Sequence, residues 1–303
     1  MRGVLSVLFS LSGVIFFSLC LLFSGDLVFF WLFLELMGLS LIPSFFYIYS
    51  GVSFYTLFIY IVVSSLSSSF MLIGIINEDL ILFFVLGFLV KFGVFPFFGW
   101  VYSVVLGSNG LVVWLLSTFV KVPFVYICFF LCGLSSVGYF SVGMLCVFTF
   151  FLVSCFFWVY NYSWRCCWAH MMVSSSSVLV LMSFVVSLDL LFWFFFIYIL
   201  WSSLTVFFLF FIDSCGLDLV SGFLDSSFSF GYYFWFGFVF LLLATPISLS
   251  LFYKVFSSFC IYSCGFFVLV FWVLYSLSEQ FFFFKYLISS YVSKFSFSWF
   301  SIL

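Results

Sequence analysis

Apolar runs of about twenty residues, separated by short clusters of charged, Gly, Ser or Asn residues, follow one another along most of the chain. A helix of about 20 residues crosses the hydrocarbon core of a bilayer and satisfies its backbone hydrogen bonds internally while doing so. The pattern therefore predicts an all-α, polytopic transmembrane helix bundle. The expected spans are 4–23, 27–49, 54–76, 80–106, 111–132, 137–160, 168–187, 190–212, 232–258 and 261–279. Residues 280–303 are expected to form either a short eleventh span or an interfacial helix anchored by Trp299. A single transmembrane domain accounts for the chain, because its longest break, from Asp213 to Gly231, is an acidic Ser-rich loop too short to fold alone.

Composition excludes the soluble alternatives. With 68% hydrophobic residues and a mean hydropathy of +1.48, 303 residues carry more apolar surface than one soluble core can cover. A net charge of −2, with no dense Lys/Arg stretch, offers nothing to a nucleic acid. Met1-Arg2-Gly3 runs straight into the apolar stretch 4–23 with no A-x-A site, so the first segment reads as retained. The ten Cys form no C-x-x-C pair and lie mostly inside apolar runs, where they read as small hydrophobes and not as zinc or iron–sulfur ligands. The lone His170 excludes bis-His ligation of a haem by this chain.

Orientation follows from the loop cations. When the spans alternate sides, Arg2, Arg165, Lys285 and Lys294 fall with the N-terminus, and the other side receives Asp26, Glu78, Asp79 and Asp189 but no Lys or Arg. The N-terminus is therefore expected inside. The acidic loop with Asp213, Asp218 and Asp225 falls on the same side, where only cations count toward the rule.

Four charges interrupt the apolar runs of a chain that is only 5% charged: Glu35, Lys91, Lys121 and Lys254. Insertion of an ion near the bilayer centre costs roughly 3 kcal/mol, so each is a candidate functional residue. Counting at 1.5 Å per residue puts Glu35 about 12 Å and Lys91 about 16 Å from the outer side, and Lys121 about 15 Å from the inner side. At matched depth a carboxylate and an ammonium lower each other's burial cost by pairing, and a desolvated lysine becomes responsive to its neighbours, as a proton relay requires. Pro96, Pro123 and Pro246 lie in the same three expected spans as the lysines. A mid-membrane proline frees a backbone carbonyl, which is tolerable only where protein or a hydrated cavity receives it, and broken helices bearing ionisable groups are the architecture of ion-transport sites. Spans one to five (about 1–132) and six to ten (about 137–279) also form a positional repeat, with Lys91 in the fourth corresponding to Lys254 in the ninth. An odd number of helices per unit makes the two units inverted.

Structural roles compete with these readings. A buried lysine also snorkels or pairs with an acid of a neighbouring subunit, and Lys254 lies nearer an expected helix end than the others. His170, close to Trp164-Arg165-Cys166-Cys167-Trp168, reads as an interface anchor. The clusters Ser64–Ser69 and Ser174–Ser177 serve helix–helix hydrogen bonding or hold a proton wire.

Three segments carry a family resemblance. Trp31-Leu32-Phe33-Leu34-Glu35, with Pro43 eight residues on, resembles a W-x-x-L-E…I-P helix; Lys91-Phe92-Gly93-Val94-Phe95-Pro96-Phe97-Phe98-Gly99-Trp100 is similar to K-L-G-x-x-P-F-H-x-W; Ser117-Thr118-Phe119-Val120-Lys121 is similar to S-T-W-Q-K. These are motifs of the antiporter-like subunits of respiratory NADH:ubiquinone oxidoreductase (complex I), and the chain is closest to its shorter, mitochondrially encoded members. The stretch from Pro246 to Lys254 is a looser match, and the resemblance thins beyond about residue 125. Phe98, Phe119 and Ser103 depart from the family's His, Trp and acidic residue. The resemblance implies a core membrane-arm subunit contributing a proton channel, in which Glu35 modulates Lys91, Lys121 is the central relay and Lys254 passes the proton toward exit. It also implies the mitochondrial inner membrane, a matrix-side N-terminus, and neighbouring antiporter-like and small hydrophobic chains and lipids as partners. Cofactors would be none on this chain, with NADH, FMN, iron–sulfur clusters and ubiquinone bound by other subunits. An independent cation/proton antiporter and a pure membrane-arm scaffold remain as alternatives.

Overall fold

The computed structural model describes residues 2–47, 51–123, 127, 136–160, 163–214 and 228–300. Among them are twelve α-helices and no strand. The chain begins with α1 (Arg2–Leu22), α2 (Leu27–Leu41), α3 (Gly51–Ile76), α4 (Ile81–Phe92), α5 (Gly99–Gly107) and α6 (Gly110–Ser117). It continues with α7 (Ser136–Val159), α8 (Trp164–Val185), α9 (Leu188–Ser214), α10 (Phe228–Leu241), α11 (Leu249–Tyr262) and α12 (Phe266–Phe300). Seven of them, α1, α2 with its 3₁₀ extension Ile42–Phe46, α3, α7, α8, α9 and α12, are long and apolar enough to cross a membrane unaided.

The other three expected spans are divided. Residues 80–106 fold as α4 and α5 with an irregular link at 93–98, and residues 232–258 enclose the gap between α10 and α11. In the stretch 111–132, α6 ends at Ser117 and a 3₁₀ turn, Phe119–Lys121, follows; 124–126 and 128–135 lie outside the described residues. The loop acids Asp218 and Asp225 lie outside them too.

α8 is the central column. The window that qualifies it as a span is 89% buried, against 22–44% for the other six, and α5, α7, α9 and α11 pack around it. The outer helices instead turn Phe9, Phe58, Phe196 and Phe207 outward, as a lipid-facing or partner-facing surface permits. α3 and α4 pack closely at Gly87, where a Cβ would stand 2.6 Å from the Ser67 carbonyl oxygen. Only glycine admits this approach, and one helical turn later it brings α4 against Ser64 of α3.

The C-terminal region departs from expectation. Residues 280–300 are neither an eleventh span nor a separate interfacial helix: they continue α12, which is 35 residues long, about 50 Å at 1.5 Å per residue. The side chains from 289 onward, Lys294 and Trp299 included, lie outside the description. At one end of the bundle Arg165 at the start of α8 meets Asp213 near the end of α9 at 2.7 Å, and Lys285 lies 5.5 Å from the ring centre of Trp158 at the end of α7. Alternation of the spans puts these groups on one face, and the contacts agree.

Candidate functional site

Lys91 and Lys121 lie at helix breaks, and Lys254 lies in the second turn of the helix that follows a third. In Leu89-Val90-Lys91-Phe92-Gly93, Gly93 adopts the left-handed conformation (φ +66°) and closes α4, its N–H and that of Val94 returning to the Leu89 and Val90 carbonyls. The Trp100 indole N–H also donates to Val90 O at 3.0 Å, so a side chain from across the break shares this carbonyl with the Gly93 N–H. Lys91 in the last turn of α4 therefore sits at the negative end of the helix dipole. Its Nζ contacts Glu35 Oε1 of α2 at 2.9 Å and donates to Ser64 Oγ of α3 at 3.3 Å. A cavity of about 10 Å³, room for roughly one water, is lined by Tyr60, Ser64, Lys91, Trp100, Leu116 and Val120, and so reaches from Lys91 to the residue beside Lys121.

Lys121 closes the 3₁₀ turn after α6 and is 1% exposed. Its Nζ donates to Met172 O at 3.0 Å and Ser175 Oγ at 2.7 Å, both on α8, and lies 5.0 Å from the ring centre of Tyr198 on α9. The Tyr198 hydroxyl donates to Ser117 O at 2.9 Å and lies 3.3 Å from Ser175 Oγ, so it receives a carbonyl from the end of α6 as Trp100 does at the first break. Among the described residues no carboxylate comes within ion-pair distance of Lys121. Its amine faces neutral acceptors in a water-poor core, which makes its charge sensitive to charges nearby.

At the third break, 242–248, the backbone is received by Trp201 Nε1 donating to Leu241 O (3.1 Å), Ser250 Oγ donating to Leu243 O (2.8 Å), and Gln280, which accepts from Ala244 N–H (2.8 Å) and donates to Leu242 O (3.2 Å). Lys254 follows in α11, and its Nζ lies 2.8 Å from Glu279 Oε1 of α12. The contact is ionic and too bent to count as a directed hydrogen bond. A second cavity of about 10 Å³ is lined by Ser174, Tyr253, Lys254, Tyr275 and Glu279 among others.

The expected residues thus fall into three clusters linked through α3, α6 and α8: Glu35 with Lys91, Lys121 alone among hydroxyls, and Lys254 with a carboxylate that the spans had cut off. The expected span 261–279 ends at Glu279, whereas this residue lies inside α12 with a side chain only 4% exposed. Of the prolines, Pro96 lies within the 93–98 link, Pro246 in the α10–α11 gap, and Pro123 resumes helical backbone just after the Lys121 turn. Each serine cluster gives one hydroxyl to a lysine, Ser64 to Lys91 and Ser175 to Lys121. His170 is no interface anchor: it is fully buried in α8, with Nδ1 2.6 Å from the Tyr102 hydroxyl of α5 and Nε2 3.6 Å from Cys166 Sγ. Arg165, one turn before it, takes the polar end of the helix.

No family model matches the chain, and no curated protein does. Solved structures do. A chain of the membrane-bound sulfane sulfur reductase, an archaeal respiratory membrane complex, superposes with a TM-score of 0.71 at 14% identity over 88% of this chain. A chain of respiratory complex I from Thermus thermophilus superposes with a TM-score of 0.70 at 15% identity over 95% of it. The fold is shared with respiratory membrane complexes. This chain spans 62% of the length of the archaeal subunit and 74% of that of the Thermus subunit.

Proposed function

We propose that the chain is a core membrane-arm subunit of complex I, of the type of its mitochondrially encoded chain 2, and that it contributes a proton channel driven by NADH oxidation and ubiquinone reduction in other subunits. Three buried lysines, each at or soon after a helix break and two of them ion-paired, carry this reading; the shared fold and the motifs around Glu35, Lys91 and Lys121 support it. On this reading the chain has no redox centre, its partners are neighbouring antiporter-like and small hydrophobic subunits and lipids, and it works in the mitochondrial inner membrane with the N-terminus toward the matrix.

The chemistry is electrostatic. While Glu35 and Lys91 are paired they present little net charge to Lys121. When a change elsewhere in the complex separates them, the exposed charge acts across a low-dielectric core. A unit charge about 10 Å away is worth roughly 1.5–2 kcal/mol at an effective dielectric of 20, about tenfold in a proton equilibrium. Lys121, held by the neutral groups Met172 O and Ser175, gains or loses a proton in response and passes the change to the Lys254 end.

The test is Lys121→Met in the intact complex. Assembly is expected to persist, with proton uptake into sealed vesicles lowered relative to NADH oxidised; an unchanged proton-to-electron ratio sinks the assignment. Mass spectrometry of the NADH-oxidising band from a native gel supplies the second check. Recovery of the chain as a separate species that exchanges cations without NADH would instead identify an independent antiporter.

A further inference from the structure

Resting on the relay reading above, we propose that Tyr198 and Trp201 of α9 are positioning residues that tie the break after α6 to the break between α10 and α11, so that the seats of Lys121 and Lys254 move together. The two stand three residues apart, hence on one face of α9, with ring centres 6.2 Å apart, and both are buried. Tyr198 serves the first seat: its hydroxyl donates to the carbonyl of Ser117, the last residue of α6, at 2.9 Å, and its ring centre lies 5.0 Å from Lys121 Nζ. Trp201 serves the second. Its indole N–H donates to the carbonyl of Leu241, the last residue of α10, at 3.1 Å, and its ring stacks on Tyr253 of α11 with centres 4.5 Å apart and planes 5° from parallel. One side chain thus holds both halves of the divided passage, and Tyr253 immediately precedes Lys254. Tyr253 also lies 5.9 Å from the Tyr198 ring, which closes a triangle of three rings.

Packing alone does not require this arrangement. Buried Tyr and Trp seek a partner for their polar tips, and α9 has three such residues. Trp193 turns outward, 66% exposed, whereas the two that face inward each bond the final carbonyl of a broken helix. The central column backs both of them: Trp168 of α8 lies 5.8 Å from Trp201, ring centre to ring centre, and Ser175 Oγ of α8 lies 3.3 Å from the Tyr198 hydroxyl. Because α9 is continuous from Leu188 to Ser214, a small shift of it along α8 cannot alter the contact at one break and spare the other, and a close-packed interior transmits such a shift. A charge change at Lys121 that alters the hold of Tyr198 therefore reaches the α10–α11 gap, and through Tyr253 the turn that carries Lys254, without a proton having to pass between the two lysines.

The intact complex in sealed vesicles tests the proposal, with backbone hydrogen exchange and NADH-driven proton uptake read on the same variants. Tyr198→Phe keeps the ring over Lys121 and removes the bond to Ser117 O; Trp201→Phe keeps an aromatic face against Tyr253 and removes the bond to Leu241 O. Exchange is expected to quicken several-fold in both variants at both breaks, at Lys121 and Val122 and at Leu243 and Ala244, whose N–H groups are hydrogen-bonded in the parent. Uptake per NADH is expected to fall in Tyr198→Phe and further in Tyr198→Leu, which loses the ring as well, so that the conservative variant recovers part of what the larger change removes. Quickening confined to each variant's own break, or uptake as high in Tyr198→Leu as in the parent, overturns the proposal. Where Tyr198→Leu fails to assemble, the exchange pattern of Tyr198→Phe and Trp201→Phe decides it. Quickening at one break only, beside a Lys121→Met variant that pumps poorly, removes the tie and leaves the channel assignment; full pumping by Lys121→Met removes both.

Discussion

The two broken passages, α4–α5 and α10–α11, solve one problem with different side chains. Each sets a lysine beside a gap in its helix and draws a carboxylate from a neighbouring helix. At the first, Lys91 ends α4, where the negative end of the helix dipole favours an ammonium, and Ser64 shares the contact with Glu35. At the second, Lys254 is the sixth residue of α11, in a turn where the dipole gives no help, and Glu279 is its one close polar contact among the described residues. Glu35 keeps 22% of its side chain exposed, Glu279 only 4%. The first pair has several supports and an acid open toward the outside of the chain; the second has one support and a buried acid. Redundancy at one end and its lack at the other leave Lys91 with support when its acid is perturbed and make Lys254 dependent on its internal partner.

The contrast breaks most directly on the two carboxylates. Glu279→Gln leaves a buried ammonium without its counter-ion, which costs about 3–5 kcal/mol. Glu35→Gln should cost less, roughly 1.5–3 kcal/mol, the range of a lost hydrogen bond to a charged group, because Ser64 and the dipole remain. Thermal unfolding of the solubilised protein, followed by exposure of buried thiols, ranks the pair; equal shifts would show that the supports around Lys91 contribute nothing.

The backbone of the first break comes next. Gly93→Ala forces a Cβ into a left-handed residue, worth about 1–2 kcal/mol, and sets it 2.3 Å from Val101 Cγ2. Adding Val101→Ala should relieve the clash but not the backbone strain, so the double variant should be more stable than Gly93→Ala and still less stable than the parent. If it regains the full parental melting temperature, the conformation of Gly93 is immaterial and the first break is held by packing alone. At the second break, Gln280→Leu deprives both Ala244 N–H and Leu242 O of partners, at about 1–3 kcal/mol for each group left buried and unpaired. Trp100→Phe removes a single contact at Val90 O and should cost about half as much. Hydrogen exchange at Ala244 and Val94 reads the two effects locally, and the reverse order would contradict the view that the second break leans on fewer, more heavily used side chains.

How much of this was legible depends on what a linear pattern can carry. Apolar runs marked where helices cross, and Pro96, Pro123 and Pro246 marked the three divided passages with a lysine near each. Glu35 and Lys91 were readable as partners because both lie well inside their runs at similar depth. Glu279 was not: the run before it is already long enough to cross a membrane, so the charge looked like a boundary, and only the unbroken course of α12 brings it inside. The same error of register made Lys254 look close to a helix end. His170 was misread because Arg165 and the tryptophans around it signal an interface, whereas helical spacing turns the imidazole inward toward Tyr102. Tyr198 and Ser175 carry no local signal at all; hydroxyls are common in this chain, and what singles these out is the lysine that the packing sets against them.

The smallest expected effect lies at the end of the bundle, where charge is plentiful but wet. Arg165 and Asp213 meet at 2.7 Å with 29% and 33% of their side chains exposed, and Arg165 also donates to Ser108 O at 3.0 Å. An exposed pair of this kind is worth about 0–1 kcal/mol, since solvent and salt screen it. Asp213→Asn should therefore shift the melting temperature little, and the shift should shrink further in high salt. Glu279→Gln should be almost indifferent to salt, because its partner is sealed from the bulk. Measuring both variants at low and high ionic strength separates a charge that tethers helix ends from one whose counter-ion is part of the interior, and a strong salt dependence for Glu279→Gln would mean that the Lys254 site is open to water after all.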